Sequence, residues 1–342
     1  MASTAATLIG QHSTNPIQET YHKSGSSKEW TRSYAPITNL IIHTIVQGPQ
    51  AVQANFSAFH DEYDDDSLRL HEPAYPPNYK RCRLNSEEDG IQWFHTEVSN
   101  IVLAGFARYP ELILASHEKS FSEHRRDHTV DVAYSVAHAG RRKHVAIGEF
   151  KRGLIVGDQW QSGTLRSSQE SLSRELRAYA HIYACPQIFC FDNYAFLVLQ
   201  FRAREPDKIK DPKCEVDCWV IPRENLYGCT LRYAFYRLLV QGFRRCQGET
   251  ALDVALHEQR PFRREFYSGK PVWKIDGSSY YKPWNYQRVV HGPSGAFYWA
   301  HPGGSNPILD ANGNTIWDTE AFWGDQEQQA EQDDGEDLYS AD

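Results

Sequence analysis

The chain has 342 residues, 40% hydrophobic and 23% charged, enough for one large packed domain or one domain with an appendage. Its net charge of −8 is unevenly spread: ten acids and no Lys or Arg fall from Asp318 onward, which leaves 34 acids against 36 bases in the body and excludes a strongly basic nucleic-acid binder. No run of about 18 apolar residues exists, so no membrane-spanning helix is expected. The N-terminus lacks the charged start and apolar block of a signal peptide, and the seven cysteines have no zinc-like spacing and read as buried reduced thiols. The expectation is an intracellular protein, nuclear or cytoplasmic and not secreted.

In chain order, residues 1–36 are rich in Ser, Thr, Gln and Asn and are predicted to be disordered. Residues 37–59 fit a strand or a short helix equally well. The acidic run 61–66 reads as a solvated linker. A helix is predicted over 87–108, with Ile91, Phe94, Val98, Ile101 and Val102 on one face, Glu97 beside that face and Pro110 as the stop. A short strand over 112–115 precedes two longer ones, 130–136 and 144–151, joined as a hairpin through Ala139, Gly140, Arg141 and Arg142. A polar loop, 152–167, ends at a capping box formed by Ser167 and Glu170. The helix it opens runs to Tyr183, with Leu172, Leu176, Tyr179 and Ala180 inward, Gln169 on the same face and Glu175 on its flank. Strands over 187–191, 196–203 and 216–221 and a helix over 229–246 complete a core domain spanning 37–250. Residues 251–323 form an aromatic-rich extension packed on that core, and 324–342 an acidic disordered tail.

The chemistry concentrates in the hairpin. Strand side chains alternate faces, so Glu149 and Lys151 share one face while Phe150 takes the other. Pairing of the strands brings Asp131 alongside Glu149. Two carboxylates and an ammonium at one spot suit a hard divalent cation. The same residues also fit a plainer arrangement: Asp131 paired with Arg125 or Lys143, Glu149 paired with Lys151, Glu97 solvated and Gln169 serving the helix cap. His124 and His128 read as a local loop pair. No nucleophile elbow or phosphate-binding loop is present.

The order helix, strand, strand, strand, helix, strand, with Asp131 on the second strand, Glu149-Phe150-Lys151 on the third, Glu97 in the preceding helix and Gln169 or Glu175 in the following one, resembles the PD-(D/E)XK nuclease-like superfamily over roughly 87–203. The passage R-E-L-R-A-Y-A-H-I-Y-A-C-P, followed by F-D and L-Q-F-R-A, is similar to fungal members of that group. Val130 stands where many members carry a proline before the aspartate.

The resemblance implies an α+β or α/β fold, a mixed central sheet flanked by helices in an αβββαβ restriction-endonuclease-like core, here with an aromatic-rich C-terminal appendage. It implies metal-dependent hydrolysis of DNA or RNA phosphodiesters. Mg2+ or Mn2+ would be held by Asp131, Glu149 and the Phe150 carbonyl, with Glu97 completing the shell. Lys151 would orient water or stabilise charge on the phosphate, and Gln169 would position the water. A different class of function, a non-catalytic binding or accessory protein in a fungal metabolic or self/non-self system, would work through protein contacts of segment 260–323.

Overall fold

The computed structural model describes residues 3–19, 22–26, 28–48, 50–57, 66–107, 112–119, 128–138, 141–292 and 294–319. The acidic run 61–65, Pro110, His124, Arg125, the hairpin turn at Ala139 and Gly140 and the tail 324–342 lie outside them. A seven-stranded mixed sheet dominates. Its strands are β1 (Leu40–Ile42), β2 (Ile113–Lys119), β3 (Thr129–His138), β4 (Arg141–Phe150), β5 (Gln187–Phe191), β6 (Ala195–Phe201) and β7 (Val216–Pro222). They lie in the order β1-β7-β6-β5-β4-β3-β2. The β4–β5 and β1–β7 pairs are parallel and the others antiparallel. A parallel step cannot be closed by a tight turn. Between β4 and β5 the chain therefore crosses over through α3 (Gly157–Ser162) and α4 (Ser168–Ile182).

Both sheet faces are covered, as the continuous apolar runs of β5 and β6 require. On one face lie α1 (Glu87–Phe94), α2 (Asn100–Ala104) and the long α5 (Leu231–Thr250), where Phe94, Phe150, Phe189, Phe196 and Phe235 share one core. On the other lie α3 and α4, with Trp160, Leu172 and Leu176 against Ile147, Ile188 and Leu199. Side chains 147 and 150 thus fall in different cores, the outcome that strand alternation dictates. Gly242 lets α5 approach the β4 backbone: a Cβ there would stand 1.9 Å from the Val145 carbonyl oxygen.

Three local expectations change. The predicted helix over 87–108 is divided by a π-turn at His95–Ser99 between α1 and α2. Its start is a true capping box, in which Ser86 Oγ accepts from Asp89 N at 3.1 Å and Asp89 accepts from Ser86 N at 2.8 Å. The box expected at Ser167 does not form, because Ser167 has φ 45° and makes no side-chain cap bond. Residues 37–59, undecided from the sequence, contain β1 and a hairpin of Thr44–Gly48 with Ala51–Ala54.

The N-terminal segment departs most from the sequence reading. Described residues before 37 carry a helix at Ala5–Ile9, a strand at Ile17–Glu19 paired with Cys82–Leu84, and a 3-10 turn at Glu29–Ser33. Ala5, Leu8 and Ile9 are buried in the main core. The composition of residues 1–36 is polar, but the contacts that order the described part come from residues far along the chain.

Beyond α5 the aromatic-rich region forms a three-stranded sheet, β8 (Pro261–Arg264), β9 (Pro271–Ile275) and β10 (Ser278–Tyr280), and a hairpin of β11 (Gln287–Val290) with β12 (Phe297–Ala300). Trp273 and Trp299 meet edge to face at 5.0 Å in its own small core with Val254 and Leu256. It docks on the body through Phe266 and through Gln187 Nε2, which donates to the Tyr267 carbonyl at 2.9 Å.

His144 on β4 yields a pH prediction. Burial, aided by Arg245 and Arg142, outweighs a hydrogen bond with the Tyr183 backbone and pushes its imidazole down to about 4 from an ordinary 6.5. The unfolded chain binds this proton first as pH falls, so the folded state loses stability from 6.5 down to about 4. The variant His144→Gln lacks that component. Urea unfolding between about pH 7 and about pH 4 is expected to show the wild type losing about 3 kcal/mol more than the variant; parallel losses would show that this imidazole is not held neutral.

Candidate functional site

The antiparallel β3–β4 register pairs Ile147 with Ala133 and Gly148 with Val132. One step further sets Asp131 at the Glu149-Phe150 end of β4, where Asp131 Oδ2 accepts from the Phe150 N–H at 2.7 Å. Asp131 and Glu149 follow the alternation onto the α4 face, and their charges repel one another. Phe150 turns its ring to the opposite core, against Phe94 and Phe189.

Lys151 Nζ donates to Glu149 Oε1 at 2.6 Å and to Glu175 Oε1, from the middle of α4, at 3.3 Å. A second ammonium joins the same two oxygens. Lys28 Nζ lies 3.0 Å from Glu149 Oε1 and 2.7 Å from Glu175 Oε1, and it also donates to the Tyr179 hydroxyl. Ser26 Oγ donates to Glu175 Oε2. Glu149 Oε2, by contrast, is buried with no hydrogen-bond partner among the described residues.

The electrostatics follow from burial and count. Burial first, then repulsion from Asp131, raises the Glu149 carboxyl to about 8 despite the two ammoniums. Burial likewise raises Asp131 above the usual range; the Phe150 N–H, Lys151 and Lys28 pull it down and Glu87 pushes it up. Burial would also raise Glu175, but Lys151, Lys28 and Ser26 hold it below the usual range. Burial opposes the charge on Lys151, yet Glu149 and Glu175 outweigh it and keep its ammonium firmly protonated.

The residues expected from the sequence separate into two groups. Asp131, Glu149 and Lys151 come together. Gln169 does not join them. Its Oε1 accepts from Trp160 Nε1 at 2.7 Å and from Val156 N at 3.0 Å, and its Nε2 donates to the Leu154 carbonyl at 2.8 Å. It pins the crossover loop from the first turn of α4. Glu175 lies six residues on, about 9 Å along the helix axis, and supplies the α4 carboxylate instead.

Glu97 is engaged elsewhere as well. It sits in the π-turn, whose neighbours Phe94 and Val98 pack in the core on the opposite face of the sheet. Its carboxylate accepts from Ser13 Oγ at 2.8 Å and Asn15 Nδ2 at 2.5 Å, and Arg232 Nε donates to its carbonyl at 2.6 Å. Glu97 therefore anchors the N-terminal segment. The acid of this helix whose charge reaches Asp131 is Glu87, at the start of α1.

Lys28 was hidden from the sequence reading because it lies in the segment expected to be disordered. Glu175 left a readable signal, since it shares a helical stripe with Tyr179. Among the described residues, no three His, Cys, Asp or Glu side chains converge as a metal-binding group, and no helix is long and apolar enough to cross a membrane. No family model, curated protein or solved structure matches the chain.

The variant Gln169→Leu is expected to lose roughly 2–4 kcal/mol of stability, because the Trp160 and Val156 N–H groups and the Leu154 carbonyl are left without their partner. Urea unfolding measures this. A variant as stable as the wild type would show that the loop does not depend on this amide.

Proposed function

We propose that the chain is a metal-dependent phosphodiesterase acting on DNA or RNA, built on an αβββαβ core of the restriction-endonuclease type. The observation that carries the reading is Glu149 Oε2, a buried carboxylate oxygen without a partner, next to Asp131 and on the carboxylate whose other oxygen holds Lys151. An orphaned acceptor in a dry site is costly. A divalent cation would satisfy it and would also relieve the repulsion between Asp131 and Glu149.

Asp131, Glu149 and the Phe150 carbonyl are the groups that would hold Mg2+ or Mn2+, with water filling the other positions, as is usual for Mg2+ bound by one or two carboxylates. When bound, such an ion offsets phosphate charge and acidifies a coordinated water. Lys151, kept protonated by Glu149 and Glu175, acts as a fixed positive charge toward the developing charge on phosphate and not as a proton acceptor. The Phe150 N–H fixes the Asp131 carboxylate, and α4 fixes Glu175, which in turn holds the Lys151 ammonium. The bases Lys23, Lys28, Lys151 and Arg152 near this end of the sheet suit a polyanionic substrate.

A second reading rests on a separate observation. The aromatic region exposes Phe262, Tyr281, Trp284 and Trp317, which suits a protein-binding module with no need of the carboxylates. Plasmid DNA and single-stranded RNA incubated with about 5 mM Mg2+ or Mn2+ separate the two. Cleavage is expected in the wild type and a loss of about 10²–10³-fold in Asp131→Asn, Glu149→Gln and Lys151→Met, each with its thermal midpoint measured to show that it is folded. Cleavage that survives these substitutions would refute the assigned roles.

A further inference from the structure

The described residues 22–26 and 28–34 are tied across the open end of β4 by contacts spread along their length. Ser24 N donates to the Arg152 carbonyl at 2.8 Å, and Arg152 N donates back to Ser24 Oγ at 3.1 Å. Ser24 Oγ also bonds Glu87, and Ser26 Oγ bonds Glu175. Trp30 stacks on His128 at 4.3 Å and meets Tyr179 edge-on at 5.4 Å. Tyr34 Oη pairs with His181 Nδ1 at 3.0 Å. Between these ties Lys28 reaches inward to Glu149 and Glu175.

The two ammoniums of the site differ in one respect. Lys151 projects from the end of β4 and its side chain is 7% exposed, whereas the Lys28 side chain is 39% exposed and enters from the solvent side. Lys28 is the cation that has a way out. It holds Glu149 through Oε1 only, so the charge it brings leaves Oε2 unsatisfied. A divalent cation on Oε2 and Asp131 would share one carboxylate with the Lys28 ammonium, and like charges so close in a desolvated site repel strongly.

We propose that this segment is a self-inhibitory strap: Lys28 takes the place of the metal's charge in the closed site, and divalent-ion binding expels Lys28 and loosens the strap. The inference rests on the metal site proposed above and adds its regulation. The binding-competent form is then only a fraction of the population, and apparent metal affinity is weakened by that fraction. Removing the Lys28 charge lifts the penalty.

The test uses the full chain and Mn2+ alone as probe. Calorimetric titration is expected to show Lys28→Gln binding Mn2+ at least about tenfold more tightly than the wild type, with the gain absent in Lys28→Gln/Glu149→Gln. Trypsin cleavage after Lys23 and Lys28 in the wild type is expected to accelerate when Mn2+ is added. This second readout needs no variant, so it stands even where Lys28→Gln folds poorly. Equal Mn2+ affinity in the two forms, with strap cleavage unchanged by the ion, would overturn the strap and leave the metal site standing. Failure of both forms to take up Mn2+ would overturn the metal site, and the strap's competition with it.

Discussion

Everything at this end of the molecule depends on housing the Glu149 carboxyl inside the fold. A carboxylate there is removed from water by β4 on one side and α4 on the other, and burial raises its pKa to about 8. Such a group persists only with compensating charge. Lys151, two residues along the strand, is the nearest source, and strand periodicity puts it on the same face automatically. One ammonium is shared with Glu175, so a second is drawn in from Lys28. Two ammoniums now face three carboxylates, those of Asp131, Glu149 and Glu175. The Oε2 of Glu149 is left without a hydrogen-bond partner among the described residues.

The geometry of this cluster is fixed by packing on the far side of the sheet. Phe150 points away from the acids into the aromatic core of Phe94, Phe189 and Phe191, so β4 cannot rotate without losing that core. Gly148 and Gly242 remove the side chains that would hold other elements off β4. A Cβ at Gly148 would meet the Phe189 ring at 2.1 Å. A strand held this closely on both faces presents Glu149 and Lys151 with little freedom, the condition a charged site needs if its interactions are to be preorganised.

What the sequence made legible follows from the range of the interactions involved. The hairpin and the two faces of β4 depend on period-two alternation, a local property, and the register bears it out through the Asp131–Phe150 bond. The mixed sheet with helices on both faces was readable from apolar runs alternating with helical stripes. Choosing between Gln169 and Glu175 required knowing how far along α4 the end of β4 lies, which no periodicity reveals. Glu97 was misplaced because a π-turn shifts the helical phase where it sits. The capping pattern at Ser167 matched in letters, but Ser167 enters α4 with φ 45° and ψ −105° and the box does not close. Lys28 was beyond reach because its segment is ordered by partners 121 and 149 residues away, at Glu149 and Glu175.

The charge cluster also bears on purpose. A buried ion pair is a poor source of stability, since apolar residues of similar volume often serve the fold as well or better. A fold selected for stability alone has no use for a third buried carboxylate, still less for one with a free oxygen. Structural pairs elsewhere in the chain show the contrast: Asp217 accepts from Arg202 Nε at 2.8 Å and Nη2 at 2.7 Å, so both carboxylate oxygens are satisfied, with His43 at 2.7 Å from one of them. Among the described residues, two raised carboxylates, a protonated lysine and an orphaned oxygen coincide at Asp131 and Glu149. Perturbed acids gather at functional sites more often than elsewhere, and the cation proposed above is one partner that would satisfy the free oxygen.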